Sequence, residues 1–318
     1  MKHPAFLRFL KELPELNEAQ LKKVIETAQT KLNEKEGIQD LIPVKTEGVS
    51  CPHCYQPAKR WGKLSGLQRY RCKSCGKTFN ALTKTSFARL RFKEKWKKAS
   101  QAILEGQTIR DAADMLGVSV DTSFRWRHRF LEGLSNQGHP ELGGIVEIDE
   151  TLFHESNKGQ RHLPRTARKR GEKASSPGRG EEQVVVCIAR DRNKQTAHLV
   201  SQRMNKEKVE ELLDPIIQPD SVLCSDGLKS YKSYTLKKRV QHIVLNTSTN
   251  ERVKEGVFHI QNVNAYHSRL KTWMVGFNGV ATKYLGNYIE WFRHYSRVSE
   301  GLISKEPSHL LKLAISNI

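Results

Sequence analysis

Two apolar runs in this 318-residue chain each end on an aspartate: Gly144-Ile-Val-Glu-Ile-Asp149 and Ser221-Val-Leu-Cys-Ser-Asp226-Gly227. Further along comes His259-Ile-Gln-Asn-Val-Asn264, with Lys271 seven residues beyond it. One acid after an apolar run usually marks a strand end facing solvent. Two in one α/β region, each ending a candidate central strand, are carboxylates that repel one another, and a divalent cation is the usual reason to hold them together. With a third metal-capable side chain on a later helix, such a pair suits Mg²⁺ or Mn²⁺ chemistry on phosphodiesters. Two ions there could activate a water or a 3′-hydroxyl on one side and stabilise the leaving oxygen on the other. Glu251 and Glu255 stand as alternative third ligands by sequence distance. Glu150, next to Asp149, is expected on the opposite face of a strand and outside the ligand set. His259 either orients a ligand or the attacking water, or makes a structural hydrogen bond at a helix start.

A second metal pattern precedes the acids. Cys51-Pro-His-Cys54 and Cys72-Lys-Ser-Cys75 are two turns, seventeen residues apart, that each offer a pair of thiolates. This spacing suits a structural zinc ribbon, with Cys51, Cys54, Cys72 and Cys75 around one Zn²⁺. His53 is read as a bystander, and Gly76 as the residue that lets the chain turn past the metal. Cys187 and Cys224 fall inside apolar strand-like runs and are expected to be buried small hydrophobes.

The formal net charge is +20, and residues 51 to 130 hold 18 Lys and Arg against 5 Asp and Glu. A merely solvated surface would mix the signs, so the excess points to a polyanion such as nucleic acid. Within that stretch, Thr108 to Arg129 matches a helix-turn-helix. Ile109, Ala112 and Ala113 are inner positions, Leu116-Gly117-Val118 makes the turn, and Ser119 or Asp121 caps the second helix. That helix presents Arg125, Arg127 and Arg129, suited to phosphates and guanine edges, with Trp126 and Phe130 turned inward.

The elements that must position these groups read as several domains: a helical N-terminal region (1–45), a zinc ribbon (46–80), a helix-turn-helix domain (81–137), an α/β core (144–298) and a C-terminal helix (299–318). In the first, Leu21, Val24, Ile25, Ala28 and Leu32 share a helical face, with Asn17 as N-cap. Residues 99–134 read as three short helices. Strands are expected at 145–149, 184–189, 196–200, 221–225 and 240–245, and helices at 205–214, 259–274 and over the last forty residues. Tyr284, Leu285, Tyr288, Trp291, Phe292 and Tyr295 form an aromatic stripe read as core. The insertion 154–183 carries Arg161, Arg165, Arg168, Lys169, Arg170, Lys173 and Arg179 among Gly and Ser, too polar to pack and suited to phosphates. No window approaches eighteen uncharged apolar residues, and the first residues lack the apolar core of a signal peptide, so a soluble cytoplasmic protein without a membrane partner is expected.

Taken together, Glu147-Ile-Asp149-Glu-Thr, Cys224-Ser-Asp226-Gly and His259-Ile-Gln-Asn-Val-Asn264 with Lys271 resemble bacterial insertion-sequence transposases of the DDE superfamily. The resemblance is to the group with an N-terminal zinc ribbon whose third catalytic position can be Asn rather than Glu. It covers roughly residues 45 to 298, with the modules in the same order. It implies a ribonuclease H-like core, with Asp149 on the first strand, Asp226 on the fourth and Asn264 on the following helix. Lys271 then takes the group's basic position, where it holds a DNA phosphate. The departure from an acidic triad is Asn264, whose amide oxygen can bind Mg²⁺ but brings no charge. The implied partners are double-stranded DNA, as terminal inverted repeats and as target, and a second copy of the chain in a dimer or larger synaptic assembly. Tyr231 and Tyr234 are read as packing, since no covalent protein–DNA intermediate is needed. Two rival readings remain: a DNA-binding regulator with an inert core, and a structure-selective nuclease.

Overall fold

The computed structural model describes residues 3–35, 48–163, 166, 180, 182–245 and 252–315. The chain divides into two compact units, Met1–Gln101 with Glu306–Ile318, and Ala102–Lys305.

The first unit opens with helices α1 (His3–Glu12) and α2 (Glu18–Lys35). Asn17 caps α2 as expected: its side-chain oxygen accepts the Gln20 N–H, and the Gln20 side chain accepts the Asn17 N–H in return. Three strands follow, β1 (Ala58–Leu64), β2 (Leu67–Cys72) and β3 (Thr78–Asn80), in one antiparallel sheet of that order. Their core is small: Cys51, Cys72, Tyr70 and Phe79, with the two rings stacked. Helix α3 (Trp96–Leu104) spans the division between the units, and α10 (Pro307–Ile315) closes the first.

The second unit contains α4 (Ile109–Leu116) and α5 (Val120–Ser135). Thr108 caps α4, Gly117 ends it in the left-handed conformation at φ 58°, and Ser119 caps α5 by accepting the Thr122 N–H. Next come β4 (Ile145–His154), β5 (Gln183–Asp191), β6 (Thr196–Ser201), α6 (Lys206–Leu213), β7 (Val222–Ser225), α7 (Lys229–Lys238), β8 (Gln241–Val244), α8 (Gln261–Val275) and α9 (Thr282–Ser299). The strands form one mixed sheet in the order β6-β5-β4-β7-β8. β4, β5 and β6 pair antiparallel, while β7 and β8 run parallel to β4.

Both faces of this sheet are covered, which explains why β5 reads as an unbroken apolar run rather than an alternation. On one face Val146, Ile148 and Cys187 pack against Leu212 and Leu213 of α6 and Tyr231 and Tyr234 of α7. On the other, Ile188 and Cys224 pack against Val263, Tyr266 and Leu270 of α8 and Leu285, Ile289 and Phe292 of α9. The two tyrosines and the two lone cysteines are core, as expected. So is most of the aromatic stripe, of which Tyr295 alone stays exposed.

Candidate active site

β4 and β7 are parallel neighbours with Glu147 opposite Cys224. Two residues further on each lies an aspartate, so strand geometry alone brings Asp149 and Asp226 to the same level of the sheet. Asp226 sits one residue past β7, in a turn its own side chain stabilises by accepting the Leu228 N–H at 3.2 Å. Gly227 makes that turn possible. Its φ is +85°, and a Cβ there would lie 2.5 Å from Val244 Cγ1. Asp149 does not end its strand, because β4 continues to His154.

The carboxylates of Asp149, Asp226 and Glu150 lie within 4.8 Å of one another. The expectation that Glu150 stays on the far face is therefore corrected. Its backbone does follow the alternation, opposite Cys187 on the α7 face. β7 ends at Ser225, however, so among the described residues no strand pairs with this part of β4 on that side. The buried Tyr231 phenol is held protonated, first by burial and then by Cys187 and Glu150 beside it. Three hard oxygen donors gathered at this range are a set that Mg²⁺ or Mn²⁺ fits, since a divalent ion relieves their mutual repulsion.

Asn264 is exposed on α8, the helix after the fifth core strand. Its helical neighbours locate it. Val263 donates its N–H to Glu147 at 3.0 Å, and His267 Nδ1 lies 3.7 Å from an Asp149 oxygen. Lys271 is exposed one turn beyond His267. Burial, then the Lys271 charge, push the His267 pKa down to about 4. His267 is thus a neutral imidazole beside Asp149 near pH 7, a neighbour the sequence reading did not single out. A helical step of three from Asn264 and four from Lys271 was the available signal. Glu255 stands exposed in a turn with φ 50°, and Glu251 lies outside the described residues.

Glu147 was also missed. Only 1 % exposed, it is the hub between β4 and α8: it accepts from Asn262 Nδ2 at 2.8 Å and the Val263 N–H, and pairs with Arg192 at 2.5 Å. His259 belongs to this hub, 3.4 Å from Glu147 and with a ring nitrogen accepting the Gln261 N–H at 3.3 Å. Another metal-capable group, His139, His198 and Glu290, is already charge-compensated, because Arg293 grips Glu290 at 2.5 and 3.1 Å. Burial holds His198 there at a pKa of about 3.

In the first unit the four cysteine sulfurs also lie within 4.8 Å of one another, with Cys51–Cys75 at 3.7 Å and Cys54–Cys72 at 3.5 Å. A tetrahedral ion with metal–sulfur bonds of about 2.3 Å needs sulfurs roughly 3.8 Å apart. The His53 and Cys75 N–H groups point at Cys51 and Cys72 sulfurs at 3.4 Å, and the latter helps bring the Cys72 thiol down to about 6. The cluster could hold such an ion.

The second helix of the helix-turn-helix presents a different face from the one expected. Arg125 is exposed, in an ion pair with Asp121, and Arg129 is half-buried. Arg127 is 4 % exposed: it donates to the Thr108 carbonyl at 3.1 Å and lies 4.6 Å over the Trp291 ring of α9. Its assignment to DNA is corrected. α9, distant in sequence, buries that side of α5, where His128 also stacks on Tyr284 at 4.0 Å. Trp126 and Phe130 are buried as expected. Arg168, Lys169 and Arg170 lie outside the described residues.

Residues 141–294, from just before β4 into α9, match the ISXO2-like transposase domain family. That segment is similar to ISXO2-like transposase domains. Residues 89–136, ahead of it, match a homeodomain-like helix-turn-helix family. Over 253 residues the chain is 29 % identical to an uncharacterized protein in transposable element ISH50 of Halobacterium salinarum, covering 77 % of this chain and 84 % of that protein. Among solved structures, a pre-cleavage Mos1 transpososome is 12 % identical over 66 % of this chain and 78 % of that one, with a TM-score of 0.22. The Mos1 strand transfer complex gives 13 %, 64 %, 77 % and 0.23. No helix among the described residues is long and apolar enough to cross a membrane.

Proposed function

We propose that this protein is a DNA transposase with a ribonuclease H-like core. It binds the terminal inverted repeats of its element, cleaves the end phosphodiester and directs the 3′-OH at target DNA. One observation carries the reading: the segment matching a transposase domain is the segment in which two strand-level aspartates gather. Asp149 and Asp226 hold divalent ions, Mg²⁺ or Mn²⁺, and Asn264 adds a neutral oxygen donor. When bound, a pair of such ions activates the attacking oxygen and stabilises the leaving one. Lys271 holds a DNA phosphate, and His259 acts at one remove by orienting the start of α8. A Zn²⁺ on Cys51, Cys54, Cys72 and Cys75 fixes the ribbon. Arg125 and Arg129, with Arg168, Lys169 and Arg170 of the insertion, meet the DNA backbone, as the +20 charge favours. Joining two ends calls for at least two copies of the chain. The protein works in the cytoplasm.

The test is incubation of the purified protein and Mg²⁺ with DNA carrying the element's own ends. Strand cleavage and joining are expected, with Asp149→Ala and Asp226→Ala losing both while still binding the ends. Tight binding with no product from the native protein would point to a regulator with an inert core. Cutting of branched DNA whatever its terminal sequence would point to a structure-selective nuclease.

A further inference from the structure

Asn264 offers an oxygen without a charge, so Asp149 and Asp226 alone would set two negative charges against a pair of divalent ions. We propose that Glu150 is the third carboxylate of the ion site, with Tyr231 as the residue that positions it. The inference rests on the transposase reading above.

Three observations carry it. The Glu150 carboxylate is within 4.8 Å of those of both Asp149 and Asp226, although its strand position belongs to the other face. An octahedral ion with bonds of about 2.1 Å spans oxygens roughly 3 to 4.2 Å apart, so small side-chain rotations close the three onto it. Among the described residues no strand pairs with β4 there on the β7 side, because the β4–β7 register stops at Glu147 and Cys224. Glutamate's extra methylene can cross where an aspartate at the same position would fall short. Finally, the carboxylate has a buried neighbour. Tyr231, wholly buried on α7, lies beside Glu150, and its hydroxyl is 3.4 Å from Cys187, the residue opposite Glu150 in the sheet. A phenol in that place can brace a carboxylate that repulsion from two others would otherwise swing away.

Mn²⁺ binding to the full-length, zinc-loaded protein without DNA, followed by the electron paramagnetic resonance of free Mn²⁺, tests this apart from activity. Glu150→Gln should weaken Mn²⁺ affinity at least tenfold. Tyr231→Phe should weaken it several-fold while the carboxylate remains. The double variant Glu150→Gln with Asn264→Asp should recover most of the loss, a rescue that a purely structural role for Glu150 would not give. If Asp149→Asn abolishes binding while Glu150→Gln keeps the wild-type affinity, the assignment of Glu150 is overturned and the transposase reading stands. If the native protein binds no Mn²⁺, both fall. Should Glu150→Gln lose its cooperative unfolding transition, Glu150→Asp is read instead, and wild-type affinity in that variant overturns the proposal.

Discussion

Glu147 shows what one buried charge does for a site it does not itself enter. It lies two residues before Asp149 on the same side of β4, and its carboxylate ties down the first turn of α8 through Asn262 and the Val263 N–H. Asn264 and His267 follow on that helix, so their height against Asp149 is set by this anchor. Arg192 supplies the countercharge and also donates to the Val257 carbonyl at 2.8 Å, which secures the approach to α8. Removing one partner of a buried pair leaves the other uncompensated, a loss usually well above that of a surface ion pair. Glu147→Ala should therefore lower the unfolding free energy of the second unit by about 3 kcal/mol, measured by urea denaturation. A loss below about 1 kcal/mol would mean that the apolar contacts of α8, not this hub, hold the helix. A warning was present in the sequence, since a glutamate inside an apolar strand run must find a partner if buried. Nothing local says that the partner comes from the β5–β6 connection.

At the level of elements, much was legible because the signals were local. Gly117 and Ser119 end one helix and start the next where turn and cap chemistry require, and the two C-x-x-C pairs bring their sulfurs together at metal-binding range. The core strands fall within a few residues of their apolar runs. What escaped depends on distant chain. α7 was not foreseen, because Lys229–Lys238 is mostly polar and helical only with Tyr231 and Tyr234 buried against the sheet. The inward turn of Arg127 depends on Trp291, more than 160 residues away. α5 therefore has two faces, and its arginines separate the readouts. Arg127→Ala, which removes a buried stacking and hydrogen-bonding group, should cost about 2 kcal/mol of stability. Arg125→Ala should leave stability within about 0.5 kcal/mol, since its ion pair is exposed, yet weaken DNA binding and reduce its salt slope by about one. Denaturation and salt-titrated binding of both variants check this. If Arg125→Ala leaves the slope unchanged, that face does not meet phosphate.

The whole chain combines two ways of stabilising a fold. The second unit closes an apolar core on each side of a five-stranded sheet, ample for independent folding. The sheet of the first unit has three short strands around little more than two cysteines, Tyr70 and Phe79, far below what hydrophobic burial alone can sustain. Bringing four cysteine sulfurs within 4.8 Å without an ion would crowd groups of which Cys72 is already biased toward thiolate. In this sheet, metal binding and folding should therefore be one equilibrium. Stripping the protein with a strong chelator under reducing conditions should abolish protection of β1–β3 amides from hydrogen exchange, while the β4, β5 and β7 amides stay protected. Readdition of one equivalent of Zn²⁺ should restore the β1–β3 protection. Persistence of β1–β3 protection in metal-free protein would show that the sulfurs meet for reasons other than an ion. Loss of protection in β4 and β5 as well would show that the two units do not fold independently.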